Sequence, residues 1–335
     1  MVMGNPMKLM LLATGGTIAC TPTENGLAPT LHAQDLLDIL GASLPCEVEA
    51  RDVFQMDSSN MQPEEWSTLA RAIDDALKTC DGVVVTHGTD TMAYTAAALS
   101  FMLCGVGKPV ILTGSQLPLS HPLTDARLNL LRAFTAAMAG VPGVYVCFHD
   151  KVISGVRCVK THTSSMDAFS SVNARAAGRF DVDGVQFERP QVVTPLDPEY
   201  RLRDAIDPRV FLLKLVPGTS PDVLRFVKEA GYRGLVIEAF GLGGLHYIRR
   251  NLVRAMQELG ESGIRVLVVS QCLYEKANLS VYEVGRGLMK DYILNGRDMT
   301  TEAAVCKMMW ALGQEDPARF LHHRFAGEYR LDETF

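Results

Sequence analysis

Short apolar runs, each about a strand long and several ending in small polar residues, recur along the chain and restrict what it can fold into. They cover residues 8–14, 82–86, 109–113, 144–148, 210–216, 235–240 and 264–270. They are rich in Val, Ile and Leu without clean alternation, the pattern of strands buried on both faces of a parallel sheet. Between them lie stretches with helical spacing, at 63–78, 91–103, 123–139, 221–229, 247–259 and 301–312. The first of these opens with Pro63 followed by Glu64 and Glu65, as a helix N-terminus prefers. This alternation predicts an α/β fold with parallel sheets.

A chain of 335 residues is too long for one small core and fits two domains. The stretch after Glu188 breaks the pattern, with Pro190, Pro195, Pro198 and Pro208 and no periodic apolar face. The expected organisation is a larger N-terminal parallel-sheet α/β domain over 1–188, a linker over 189–208 and a smaller C-terminal α/β domain over 209–335. Apolar residues make up 47% and charged residues 21%, which supplies a sizeable core. The net charge of −6, with no basic run, argues against nucleic acid or an anionic membrane as partner. The eight cysteines are scattered without a C-x-x-C pair and read as reduced thiols acting as small hydrophobes. The apolar stretch 7–13 is short and leads into a glycine turn, so it reads as a strand and not as a secretory signal. No window has the run of apolar residues that a membrane span needs. A cytoplasmic location is the expectation.

In open α/β sheets, ligands bind beyond the carboxyl ends of the strands. The first run ends in Ala13-Thr14-Gly15-Gly16-Thr17-Ile18, where two glycines allow close backbone approach and two threonines add hydroxyls. It matches neither nucleotide-loop pattern, and alone it reads as a tight turn. The second run ends in Thr86-His87-Gly88-Thr89-Asp90-Thr91-Met92. Thr89 or Asp90 capping the next helix is one explanation; a nucleophile beside a carboxylate able to hold an ammonium is the other, and the two are compatible. A hydroxyl nucleophile needs a base. His87 is one candidate, and equally a hydrogen-bonded structural histidine. Lys160, in Arg157-Cys158-Val159-Lys160-Thr161-His162-Thr163, is the other. No H-E-x-x-H and no Cys/His zinc spacing occurs among the eight histidines, so no metal and no cofactor are expected.

With T-G-G-T-I-A at 14–19 and T-H-G-T-D-T-M at 86–92 together, the chain resembles the bacterial-type L-asparaginase family, also called the asparaginase/glutaminase family. The likeness runs from about residue 8 to residue 325. It takes in M-D-S-S-N-M at 56–61, L-T-G-S-Q at 112–116, the 151–171 stretch and Q-C-L-Y-E-K-A-N-L-S-V-Y at 271–282. The T-G-S-Q variant and the lack of a signal peptide are most similar to the cytoplasmic, type I branch. The resemblance implies hydrolysis of L-asparagine to aspartate and ammonia, with weaker action on glutamine. It implies that Thr14 is the nucleophile and that Thr89 is paired with Lys160 and Asp90. Ser58 would bind the substrate carboxylate, with Ser59 standing where some relatives have glutamine. Asp90 would receive the substrate ammonium. Ser59, Gly88 and Thr89 would also line the substrate site, backbone N–H groups near Gly15 and Thr89 would form the oxyanion hole, and the Ser115 carbonyl would face the leaving ammonia. The family has a large N-terminal and a small C-terminal α/β domain. Its sites lie at a subunit interface, which implies a homodimer or homotetramer, with Glu275 in the segment that matches the neighbour's contribution.

Two departures stand out. Relatives carry a tyrosine in the loop after the first motif, and here Leu27 takes its place in residues 20–29. Either Glu24, Thr23 or a water serves Thr14 instead, or the loop is a lid with an apolar tip, hinged at Asn25-Gly26. The C-terminal glycine turn, Gly241-Leu242-Gly243-Gly244-Leu245-His246, lacks the asparagine that relatives often have there. Two other readings compete. One is the asparaginase-like subunit that releases ammonia for glutamyl-tRNA amidation; it normally carries an extra N-terminal domain, whereas the first strand here starts at residue 8. The other is a catalytically silent amino-acid sensor, which would be expected to lack Thr14, Thr89 or Lys160.

Overall fold

A computed structural model describes residues 6–24, 26–40, 44–188, 199–281, 285, 287 and 290–331. The chain divides into two compact units, Met1–Asp204 and Ala205–Phe335.

The first unit is built on β1 (Lys8–Gly15), β2 (Cys20–Thr23), β3 (Gly26–Pro29), β4 (Glu47–Met56), β5 (Gly82–Thr86), β6 (Pro109–Thr113), β7 (Gly143–Phe148), β8 (Lys151–Ser154), β9 (Cys158–Lys160), β10 (Phe169–Ser171), β11 (Gly178–Asp181) and β12 (Gly184–Phe187). Its main sheet has the order β12-β11-β8-β7-β6-β5-β1-β4. From β4 through β7 the neighbours run parallel. Beyond β7 the sheet turns antiparallel through β8, β11 and β12, so it is mixed, with a parallel centre. Every residue of β5 and β6 is buried, as continuous apolar runs require. Alternate residues of β1 divide between the faces: Leu9, Leu11 and Ala13 join a core with Val84, Ile111 and the buried sides of helices α1 (Ala33–Leu40) and α4 (Ala126–Met138).

Two further helices follow strands of this sheet, α2 (Pro63–Leu77) after β4 and α3 (Met92–Met102) after β5. Pro63 opens α2, and the Glu65 carboxylate accepts the Gln62 N–H at 3.0 Å, half of a capping box. Ten of the eleven residues of α3 are buried, so it has no polar face and its helical signal came from alanine content. Of the proline-rich stretch 189–208, residues 189–198 lie outside the described residues. Residues 200–204 lie along α2 and α3: Tyr200 Oη donates to Asp74 at 2.8 Å, Arg71 to Asp204 at 2.6 Å and the Arg203 N–H to the Met102 carbonyl at 3.0 Å.

The second unit has a fully parallel sheet in the order β13-β14-β15-β16, formed by β13 (Val210–Lys214), β14 (Gly234–Ala239), β15 (Arg265–Ser270) and β16 (Ile293–Asn295). Helices Asp222–Glu229 and Leu252–Glu261 cover one face, over a core that includes Leu224, Val227, Ile237, Met256 and Val268. Helix Thr301–Leu312 packs on β14. No helix among the described residues is long and apolar enough to cross a membrane. None of the eight cysteines forms a disulfide. Cys20, Cys80, Cys147, Cys158 and Cys306 are buried, Cys46 and Cys104 are half-buried, and Cys272 is exposed.

Candidate active site

The carboxyl ends of β1, β4, β5 and β6 bring the two threonine motifs together. Thr14 is buried one residue before the end of β1, and its hydroxyl donates to the Thr86 carbonyl at the end of β5, 2.8 Å away. The glycines that follow are required by space as well as by conformation. Gly15 and Gly16 have φ of +95° and +77°, where a side chain is strained. A Cβ on Gly15 would lie 2.5 Å from the Met56 carbonyl, and one on Gly16 would lie 2.4 Å from the Gly88 nitrogen. Close approach of the T-G-G-T turn to both β4 and the T-H-G-T-D-T turn therefore demands bare backbone.

Ser58 is reached in the same way. It is buried, and a Cβ on Gly88 would lie 2.5 Å from its Oγ. Thr91 holds it in place by donating to the Ser58 carbonyl at 2.7 Å. Ser59 is exposed, and its hydroxyl and N–H both donate to Asp57. Those bonds hold the Asp57 carboxyl below its ordinary range. Ser59 thus turns lone pairs and not its hydrogen outward.

His87 is the structural histidine of the two alternatives. It is buried, its Nδ1 lies 2.7 Å from the Gly88 carbonyl and its Nε2 lies 2.9 Å from Thr95 Oγ1. A carbonyl only accepts, so the hydrogen sits on Nδ1, and Nε2 accepts from Thr95. Trp66 Nε1 in turn donates to Thr95 at 3.0 Å. Burial pushes the imidazole down to about 4, against the opposing bond to Gly88, so the ring is neutral near pH 7. The chain also fixes one peptide plane. With no cis bond among the described residues, the Thr89 N–H points opposite to the Gly88 carbonyl, away from His87.

Lys160, at the end of β9, connects the polar groups. Its Nζ lies 2.9 Å from Thr89 Oγ1 and 2.6 Å from Asp90 Oδ1. The lysine side chain is 16% exposed and the Asp90 side chain 64%, so the pair is sheltered on one side and open on the other. Ser115 is buried at the start of the loop after β6, with its hydroxyl donating to the Leu117 carbonyl at 2.6 Å. The side chain of Gln116, which the motifs do not single out although it follows Ser115 directly, faces Thr89. Asp57, Thr86 and Thr91 are likewise site neighbours that lie inside the motifs without standing out in them.

Leu27 sits on the β2–β3 hairpin, paired with Pro22, and is 57% exposed. Thr23 Oγ1 donates to the Gly26 carbonyl at 2.7 Å, Glu24 is exposed, and Asn25 of the expected hinge lies outside the described residues. Glu275 belongs to the second unit, where it is exposed in a turn closed by its N–H on the Cys272 carbonyl at 3.1 Å. One group of three metal-type donors occurs among the described residues, His149, Asp150 and Asp167. The Lys151 ammonium holds both Asp167 oxygens at 2.7 Å, and none of the three residues bonds the threonines or Lys160.

Comparison with known proteins matches this geometry to a family. Residues 8–193 match the N-terminal asparaginase domain and residues 209–325 the glutaminase/asparaginase C-terminal domain. An L-asparaginase of Thermococcus kodakarensis is 41% identical over 96% of this chain and 99% of its own length. The solved structure of the thermostable L-asparaginase from that organism superposes with a TM-score of 0.90 at 40% identity, over 97% of this chain and 100% of that one. L-asparaginase I from Vibrio cholerae gives 0.85 at 28% identity, covering 98% of this chain and 100% of that one. A glutamyl-tRNA(Gln) amidotransferase subunit from Methanopyrus kandleri is 38% identical over 96% of this chain and 74% of its own length. A two-domain α/β chain with these matches is an amidohydrolase. It belongs to the asparaginase/glutaminase family.

Proposed function

We propose that the protein hydrolyses L-asparagine to L-aspartate and ammonia, with slower action on L-glutamine. The observation that carries this reading is the Lys160 ammonium held between the Thr89 hydroxyl and the Asp90 carboxylate. A zwitterionic amino acid needs a donor for its carboxylate and an acid for its ammonium; Ser58 supplies the first and Asp90, open on one side, the second. Thr14 Oγ1 attacks the side-chain amide carbon. Its hydrogen rests on the Thr86 carbonyl, a group that accepts a bond but takes no proton, so activation passes the proton by way of Thr89 to Lys160 as the Lys160 ammonium gives one of its own to the Asp90 carboxylate. The tetrahedral oxyanion receives the Thr89 and Gly15 N–H groups. The C–N bond breaks as the nitrogen regains a proton and leaves as ammonia on the Ser115 side. Water then cleaves the threonine ester by the same groups.

We assign the reaction to the cytoplasm, since the eight cysteines carry no disulfide. We assign the working form to a homodimer or homotetramer, with Glu275 as the residue offered to a neighbour's site. A second reading is ammonia supply to a glutamyl-tRNA amidation partner, which rests on the identity to the amidotransferase subunit. Ammonia release by the purified protein separates them. Steady turnover of L-asparagine by the protein alone, in EDTA, is the expected result. Turnover that needs a divalent cation, or that appears only with an amidotransferase partner and aminoacyl-tRNA, overturns the proposal. Light scattering at micromolar concentration tests the assembly, and a fully active monomer removes Glu275 from the site.

A further inference from the structure

The groups around Thr89 include one that the proposed mechanism does not use. Gln116 follows Ser115 on a loop whose backbone is firmly held. The Asp125 carboxylate accepts the Gln116 N–H at 3.0 and 3.1 Å and the Leu117 N–H at 3.1 Å. Asn129 Nδ2 donates to Asp125 at 2.9 Å and to the Gly114 carbonyl at 3.0 Å. The Gln116 side chain therefore leaves from a fixed base. Its Nε2 donates to the carbonyls of Thr163 at 3.0 Å and Ser165 at 2.9 Å, in the loop that follows Lys160. Two carbonyl acceptors settle which end of the amide is nitrogen. The oxygen then faces Thr89 Oγ1, 3.5 Å away.

An amide oxygen only accepts, and an ammonium only donates. Thr89 Oγ1 thus lies between the Lys160 ammonium at 2.9 Å and an acceptor. The hydroxyl offers a lone pair to Lys160 and its hydrogen to Gln116. Resting on the proposed hydrolysis, we infer that Gln116 is a positioning residue for Thr89. It sets the rotamer and the hydrogen direction of that hydroxyl, and through its two N–H bonds it ties the hydroxyl to the loop that follows Lys160. Gln116 acts through Thr89 and not on the substrate. Its effect falls on the chemical step and leaves substrate binding by Ser58 and Asp90 alone.

Gln116→Met keeps the length of the side chain and removes all three contacts. We expect it to lower kcat about 10-fold on L-asparagine while KM changes less than about 2-fold. Thr89→Ser sharpens the test, because serine lacks the γ-methyl that restrains the threonine rotamer. Gln116→Met should therefore lower kcat several-fold more in the Thr89→Ser background than in the wild type. Equal losses in the two backgrounds, an unchanged kcat, or a rise in KM that accounts for the loss overturns the inference. Crystal structures of wild type and Gln116→Met read the same claim without any substrate. Thr89 should adopt a second rotamer or move off Lys160 in the variant, and a Thr89 that keeps its place overturns the inference. Failure of the wild type to turn over L-asparagine refutes the proposed substrate instead, and the crystallographic comparison still decides the role of Gln116.

Discussion

Two lysine–carboxylate pairs, one in each unit, differ in how closed their surroundings are and in what else the ammonium touches. Lys307 and Glu328 are completely buried and 2.7 Å apart. Lys307 also donates to the His323 carbonyl at 2.7 Å, and Glu328 accepts the N–H groups of Phe325 and Ala326. The rings of Phe325 and Tyr329 lie 6.0 and 5.4 Å from the ammonium. The pair clasps the segment after helix Thr301–Leu312 back onto that helix. Lys160 differs on both counts: its carboxylate partner is mostly exposed, and its other partner is a hydroxyl that can itself exchange a proton. Closed and apolar surroundings make an ion pair a clasp. An open side and a hydroxyl suit it to the proton transfer proposed for Lys160.

The largest expected effect breaks the clasp. Removing one member of a buried pair leaves the other charge uncompensated, at about 3–5 kcal/mol. Lys307→Met should destabilise the protein by that order in urea titration, and the double variant Lys307→Met, Glu328→Leu should recover much of the loss. A loss under about 1 kcal/mol in the single variant would mean the pair is not structural. Acid should act on the same clasp. Burial raises the Glu328 carboxyl, but Lys307 and the backbone N–H groups outweigh it and hold it below its ordinary value. A carboxyl depressed in the folded state contributes stability that is present above its unfolded pKa, about 4.3. That stability is lost as pH falls through the lower folded value. Stability lent by the clasp should therefore fall off below about pH 4 in the wild type and not in the double variant.

Next in size is the reactive pair. Thr14→Ala and Lys160→Met should each lower kcat at least about 100-fold, the lower end of what general acid–base catalysis contributes and about 2.7 kcal/mol. Thermal midpoints should move little. Retention of most of the kcat by Lys160→Met would make this lysine a second clasp and erase the contrast. Ser58→Ala should act on binding, raising KM about 10-fold with kcat nearly constant, because its bond to a charged carboxylate is equal in ground and transition states. A fall in kcat with constant KM would move Ser58 into the chemistry.

The chemistry was readable where it depends on backbone space. Gly15, Gly16 and Gly88 are glycines because three strand ends converge, and that necessity shows as a motif. Packing was readable where strands are buried on both sides, as in β5 and β6. What escaped lacks such a signature. β4 alternates between exposed and half-buried positions at the sheet edge, so Glu, Arg and Asp interrupt its pattern. The antiparallel β8, β11 and β12 are four residues each, too short for periodicity to show. The helix expected from 247 begins at Leu252, because the Asn251 side chain caps the Arg254 N–H. The helix expected from 123 begins at Ala126, after Leu123, whose apolar side chain mimicked helical spacing while lying 76% exposed. Gln116 escaped because its work lies in three side-chain bonds to residues distant in sequence.

The smallest expected effect concerns Leu27, the residue expected to take the place of the family's tyrosine. A leucine neither donates nor accepts a proton, so it replaces the tyrosine's shape and not its chemistry. Its exposure of 57% excludes the reading of a core residue beneath a static turn. Thr23, a candidate substitute for the tyrosine hydroxyl, already gives its hydrogen to the Gly26 carbonyl. Glu24 is the other side chain weighed as a substitute for that hydroxyl. The hairpin follows the Thr14-Gly15-Gly16 turn after a single turn of 3-10 helix, Thr17–Ala19, so a small change of its angle carries an apolar side chain toward or away from the first threonine. Closure of that kind excludes water and strengthens the electrostatics inside without supplying a proton. Leu27→Ala should then raise KM and lower kcat by less than about 10-fold, well short of the loss at Thr14. Steady-state kinetics of Leu27→Ala beside Glu24→Ala separates lid from relay. A folded Leu27→Ala as inactive as Thr14→Ala rules out the lid, whereas inactivity confined to Glu24→Ala assigns the proton path to that carboxylate and leaves Leu27 as its cover.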